Sequence, residues 1–264
     1  MANTYFQFKQ FRIDQEHCAM KVSTEACILG AWYASKFRQS HTGADRLPEA
    51  SEVSKAVTNP VQPDGNAILD IGSGTGLLML MLAQMTDVEI HGIELNTECF
   101  GQLTENITKS PWSSRMKLFH GDARNFSYPA TYDFIISNPP FYENELASDT
   151  PGKQLAMHSA ALGLENLAEV IVKNLSGSGT AGILLPVYRS ERFEMIASRS
   201  GMFKSEVLKI RQTPKHQWFR EISSYTFNKG DRIAATELTI RNQNGDYSKD
   251  FVDLLKPYYL NFPD

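Results

Sequence analysis

Ala67-Ile68-Leu69-Asp70-Ile71-Gly72-Ser73-Gly74-Thr75-Gly76 is the stretch on which the fold turns. Its first five residues are a short, nearly continuous apolar run, the pattern of a strand covered on both faces. The three glycines then occupy alternate positions, as a backbone needs where it bends sharply and lets a ligand approach closely. Residues 77–84 are apolar without Gly or Pro and read as a helix. Strand, glycine turn and helix together form the opening unit of a layered α/β sheet.

The same alternation continues downstream. Residues 88–94 (VEIHGIE) read as a second strand and 97–109 as a helix, while 116–120 and 132–137 read as the third and fourth strands. Residues 166–175 are helical, 182–185 a fifth strand and 191–200 another helix, with strand-like runs at 203–210 and 237–241. The expectation is an α/β fold with a mostly parallel seven-stranded sheet and helices on both faces, in which ligands sit at the carboxyl ends of the strands. Residues 36–66 are polar, hold Pro48, Pro60, Pro63, Gly43 and Gly65, and lack a period, so they read as a polar surface insert. Residues 1–35 are aromatic and partly apolar and are expected to pack on the sheet, giving one domain over 1–264.

Composition bounds the function. Hydrophobic residues make up 42% and charged residues 21%, ordinary for a soluble globular chain. No run approaches the roughly 18 apolar residues of a membrane span, and the first residues carry no apolar leader core, which points to a cytoplasmic protein. The net charge of -4 gives no global signal for nucleic acid. Cys18, Cys27 and Cys99 are an odd count without metal-ligand spacing, so free buried thiols in a reducing compartment and no metal are expected.

The glycine spacing Gly72-x-Gly74-x-Gly76 differs from the dinucleotide fingerprint, and Asp70 in front of it would repel a phosphate. An acid there suits a cationic amino group. Glu94 ends the second strand, where a ribose diol is usually held, and Asp122 follows the third strand, where it can accept from an adenine amino group. Such a set fits S-adenosylmethionine. The alternative is a tight turn with solvated acids at strand ends.

Asn138-Pro139-Pro140-Phe141 follows the fourth strand. Asn138 offers a side-chain carbonyl and Pro139 a backbone carbonyl without a competing N–H. Two acceptors on one planar amine direct its lone pair outward, toward a methyl donor, and Phe141 can stack on a flat substrate. An adenine or guanine amine of RNA and the amide of a protein glutamine both fit these acceptors, and a non-catalytic RNA-binding or S-adenosylmethionine-sensing module is the reading from another class. The basic run Arg199, Lys204, Lys209, Arg211, Lys215 and Arg220, interleaved with His216, Trp218 and Phe219, points to RNA, with Lys209, Arg211, Lys215 and Arg220 the candidate contacts.

Beyond these motifs, Phe6-Gln7-Phe8-Lys9-Gln10-Phe11, then Lys21-Val22-Ser23-Thr24-Glu25 and Leu29-Gly30-Ala31-Trp32, resemble the bacterial tRNA1(Val) (adenine(37)-N6)-methyltransferases. Asn106-Ile107, Ser110-Pro111-Trp112, Tyr247-Ser248 and Tyr258-Tyr259-Leu260 extend the resemblance nearly end to end. Glu25 stands where that family has Asp, Phe141 where Tyr is commoner, and the 36–66 insert is longer. The resemblance implies a Rossmann-like class I fold and S-adenosylmethionine-dependent N6-methylation of adenine 37 in a tRNA. Separately, the protein is expected to be a monomer. By motif, Asn138, Pro139, Pro140 and Phe141 would hold the adenine. Asp70, Gly72, Gly74, Gly76, Glu94, Asp122 and Asn138 would hold the cofactor, with Lys21 and Thr24 in an N-terminal lid over its pocket.

Overall fold

The structure, a computed structural model, describes residues 3–41, 67–140 and 162–262. An antiparallel hairpin of β1 (Tyr5–Gln7) and β2 (Arg12–Asp14) leads into α1 (Thr24–His41). The strand before the glycine turn is β3 (Ala67–Ile71). It is followed by α2 (Leu77–Ala83), β4 (Ile90–Glu94), α3 (Thr97–Thr108), β5 (Met116–His120) and β6 (Tyr132–Ser137). Then come α4 (Leu164–Asn174), β7 (Leu175–Pro186), α5 (Val187–Arg199) and β8 (Phe203–Arg211). The described chain closes with β9 (Arg220–Thr226), β10 (Ala234–Thr239) and α6 (Lys249–Leu255).

Every residue of β3 is buried, and its side chains alternate between two cores. Ala67, Leu69 and Ile71 join the core formed with α4 and α5, while Ile68 joins the one formed with α1, α2, α3 and α6. Because α2 is apolar all round, it sits wholly inside, packed beside α1, which itself lies on β7 and β9. Gly30 of α1 makes that contact possible, since a Cβ there would lie 2.7 Å from the Met81 sulfur.

The main sheet runs β10-β8-β9-β7-β6-β3-β4-β5, so it has eight strands rather than the seven expected. The additional strand is β9, which is antiparallel to both neighbours; the other pairings in this sheet are parallel. Its sequence, REISSYT, hides it, because the residues turned inward include Glu221, Ser223 and Ser224. Glu221 and Ser224 are satisfied by partners far away in sequence: Lys204 and Ser190 reach Glu221 at 2.7 and 2.5 Å, and Tyr33 reaches Ser224 at 2.8 Å, while Ser223 donates to Glu221 at 2.7 Å.

Two further expectations are corrected. The polar insert does not begin at residue 36, because α1 continues through His41 and Lys36 is completely buried. Lys36 pairs with Glu206, and its ammonium lies 3.9 Å from the Trp32 ring centroid, so a lysine that reads as polar surface anchors α1 to β8. Residues 42–66 lie outside the described residues. The cysteines are not all free: Cys18 and Cys99 form a disulfide across 81 residues, with Cα atoms 4.6 Å apart. Only the fold brings the loop after β2 against the start of α3, so spacing could not reveal the pair. Cys27 stays a buried thiol, which burial pushes up to about 12. The terminal aromatics pack as a tail on the core: Tyr258 is buried and donates to the Met81 carbonyl at 3.0 Å.

Candidate functional site

Strand register gathers the sequence motifs at one edge of the sheet. Ile71 of β3 lies opposite Ile93 of β4 and Ser137 of β6, and Glu94 lies opposite His120 of β5. The glycine turn, the residues after Glu94, the Gly121-Asp122 turn and Asn138-Pro139-Pro140 therefore all leave the sheet side by side. The chain order reverses between β3 and β6, where an α/β sheet opens its ligand crevice.

Hydrogen bonds tie these loops to one another. The Ser137 hydroxyl donates to the Ile71 carbonyl at 2.9 Å, and the Gly72 and Ser73 N–H groups donate to the Ile93 carbonyl at 3.0 Å. Gly76 has φ +84, and a Cβ there would lie 2.8 Å from Leu103, so both backbone and space demand glycine at the entry to α2. Asn106 of α3 donates to the carbonyls of Thr75 at 2.9 Å and Asp14 at 2.8 Å. One side chain thus clamps the N-terminal hairpin against the glycine turn, a function that sequence reading missed because Asn106 looks like an ordinary helix residue.

The acids differ in state. Asp70 is fully buried and neither carboxylate oxygen has a hydrogen-bond partner. Burial, with the charge of Glu94 added, raises its pKa to about 8. Glu94 accepts from the Gly74 N–H at 2.9 Å with one oxygen and from the Asn96 N–H at 2.8 Å with the other, leaving a lone pair on each. Asp122 is clamped by its neighbour Arg124, whose Nε lies 2.9 Å from both carboxylate oxygens, and this bonding holds its pKa below the ordinary value.

Asn138 directs a buried Oδ1 that has no hydrogen-bond partner. Pro139 is buried beside it, and Arg189 reaches the Pro140 carbonyl with Nη1 at 3.5 Å. Phe141 lies outside the described residues. Lys21 is exposed and turns its ammonium to the carbonyls of Gln15 and Glu16, closing the N-terminal segment on itself, and Thr24 is the exposed first residue of α1.

The basic run divides. Arg211, Lys215 and Arg220 lie at the end of β8, in the β8–β9 loop and at the start of β9, on the same sheet edge as Asn138. The Arg211 guanidinium stacks 4.3 Å from the Trp218 ring centroid and donates to the Thr239 hydroxyl at 2.8 Å. Lys209 is half-buried between its cross-strand neighbours Glu221 and Glu237. Lys204 is not a surface base: it is nearly buried and bonded to Glu221 and Glu194, each at 2.7 Å, near the start of β8. Among the described residues no group of three His, Cys, Asp or Glu could hold a metal, and no helix is long and apolar enough to cross a membrane.

A methyltransferase small-domain family model matches residues 44–174. A tRNA1(Val) (adenine(37)-N6)-methyltransferase from Dyadobacter fermentans is 35% identical over 264 residues, covering 98% of this chain and 99% of that protein. Proteins of the same name from Bacteroides thetaiotaomicron and a Shewanella species are 32% and 31% identical, over 99% and 97% of this chain and 99% and 98% of their own. Among solved structures, a predicted O-methyltransferase from Agrobacterium tumefaciens superposes with a TM-score of 0.55 at 14% identity, covering 86% of this chain and 95% of that one. A putative class I S-adenosylmethionine-dependent methyltransferase from Listeria monocytogenes also gives 0.55, at 13% identity over 84% of this chain and 68% of its own. These two likenesses establish the class I fold.

Proposed function

Since this chain belongs to the tRNA1(Val) (adenine(37)-N6)-methyltransferase family, we propose that it methylates N6 of adenine 37, beside the anticodon of that tRNA, with S-adenosylmethionine as donor. The observation that carries the reading is the buried, unpartnered Oδ1 of Asn138 at the carboxyl end of β6. A buried acceptor without a partner costs free energy, on the order of 1–3 kcal/mol, and a donor brought by a substrate relieves it.

The residues present fit the cofactor. Asp70, with two buried oxygens lacking partners, would take its amino group, and the carboxylate would be held ionised by that charge. Glu94 keeps lone pairs for a ribose diol, and Gly72, Gly74 and Gly76 leave the turn without side chains. Asp122, paired with Arg124, would accept from the adenine amino group. Lys21 and Thr24 belong to the N-terminal segment that Asn106 fastens over the turn, and we assign them to its outer wall. The cofactor supplies an electrophilic methyl group on a sulfonium.

Within that frame the chain's own groups do the positioning. Asn138 Oδ1 and the Pro139 carbonyl each accept one N–H of the adenine amine, which turns its lone pair away from both. The adenine amine is neutral, so no general base has to generate the nucleophile. Ser137 and Arg189 fix the segment at either end, through Ile71 and the Pro140 carbonyl. Phe141 would stack on the base. Arg211, Lys215 and Arg220 would take phosphates, with Lys209 at their margin, and the sheet topology supports this by setting the β8–β9 loop on the edge that carries Asn138. A base in a loop is extruded at lower cost than one in a duplex, which favours an anticodon-loop target in cytoplasmic tRNA.

Incubation with methyl-labelled S-adenosylmethionine and separated tRNA, rRNA and protein fractions tests the assignment. Label should enter the tRNA fraction as N6-methyladenosine. Label confined to rRNA or protein would overturn it.

A further inference from the structure

We infer that Tyr188 is a stacking platform for the base of a nucleotide flanking the target adenine, and that it sets the path of the RNA strand across the β7–β9 side of the site. The inference rests on the reading of the chain as an RNA amine methyltransferase. It adds a substrate-positioning residue that lies outside every motif described above.

The placement follows from register. Ser137, the last residue of β6, lies opposite Ile183, so β7 continues to Pro186 beyond the level where β6 ends. Tyr188 follows in the first turn of α5, beside the segment of Asn138 to Pro140. The next residue, Arg189, is buried and directs Nη1 to the Pro140 carbonyl at 3.5 Å. Successive helical residues lie about 100° apart around the axis. With Arg189 fastened inward to the proline segment, Tyr188 is turned outward and is 64% exposed.

On the other side, antiparallel β9 sets Arg220 opposite Pro186. Trp218 and Tyr188 are therefore each two residues beyond the same register pair, at the same end of the sheet. The sheet edge thus presents, in spatial order, Glu94, the glycine turn, Asn138, Tyr188 and Trp218. Cofactor residues fill the β3–β4 side, so the strand carrying an adenine held at Asn138 leaves over β7 and β9. Among the described residues the first exposed aromatic on that path is Tyr188, and Arg211, stacked on Trp218, comes after it. A tyrosine offers a wide, rigid face with few rotors to immobilise, which suits sequence-tolerant stacking on a neighbouring base.

Steady-state methylation of a tRNA transcript by Tyr188→Ala and Tyr188→Phe tests this, together with equilibrium binding of an anticodon stem-loop carrying 2-aminopurine next to the target. The alanine variant should lose on the order of tenfold in kcat/KM for tRNA, with unchanged affinity for S-adenosylmethionine. The phenylalanine variant should stay near wild type. The wild type and Tyr188→Phe should quench the 2-aminopurine, and Tyr188→Ala should not. Wild-type kcat/KM and quenching in the alanine variant would overturn the inference while leaving the methylation reading intact. Failure of the wild type to methylate any tRNA would overturn both.

Discussion

Glu94 accepts the backbone N–H of Gly74 at 2.9 Å, so the acid that ends the second strand of the βα unit also holds the glycine turn that ends the first. Its charge faces Asp70, which burial has already raised to about 8. Glu94 thereby helps to keep Asp70 protonated in the free protein, and a cationic ligand group would let Asp70 ionise beside it.

The pH dependence of stability should report this. Folded protein keeps the Asp70 proton up to about pH 8, while the unfolded chain gives it up near 3.8. Between those limits the folded state binds more protons, so the contribution is complete in acid and is lost as pH rises through about 8. Asp70→Asn has no such loss. Its melting temperature relative to wild type should rise from about pH 4 to about pH 9, by several degrees for each ~2 kcal/mol recovered. Glu94→Gln should move the wild-type transition to lower pH. A difference between Asp70→Asn and wild type that is flat in pH would contradict the buried, proton-holding carboxyl.

Reduction should loosen the N-terminal segment. The Cys18–Cys99 bond closes a separation of 81 residues, and a cross-link of that span stabilises by about 2–4 kcal/mol. Thermal melts with and without a dithiol reductant should differ by several degrees, and Cys99→Ser should melt like the reduced wild type. Thiol titration of the denatured, unreduced protein should find one reactive thiol, Cys27, because two of the three cysteines are paired. Three thiols before reduction would refute the pairing.

Charge reversal should separate the surface bases from the buried one. Arg211→Glu with Lys215→Glu should weaken tRNA binding and reduce the slope of log affinity against log salt by about two units. Lys204→Gln should instead lower thermal stability, because it strips Glu221 of its cation, and should leave the salt slope alone. Equal slopes for all three proteins would remove the β8–β9 loop from the RNA surface.

How much of this was legible in the sequence depended on whether a partner was local. The strand and glycine turn at Ala67 to Gly76, and the strand running into Asn138, show in residue type and spacing alone, because both are single continuous segments. The eighth strand, β9, stayed hidden because its inward residues Glu221, Ser223 and Ser224 are polar, and Glu221 and Ser224 take partners from α1, α5 and β8. Lys36 and Lys204 read as surface charge for the same reason, since Glu206 and Glu221 neutralise them across the fold. Register also decided which members of the basic run share an edge with Asn138. The family resemblance supplied the tRNA; spacing left glutamine and nucleobase amines equally open.

The most direct test of the account is single-turnover methyl transfer by Asn138→Ala at saturating S-adenosylmethionine, with cofactor affinity measured on the same preparation. We assign the buried Oδ1 of Asn138 to the adenine amine and not to the cofactor, so the variant should bind cofactor like wild type and transfer methyl to tRNA slower by about two to three orders of magnitude. Turnover within a few-fold of wild type, with cofactor bound normally, would contradict the claim that this carbonyl holds the adenine for reaction.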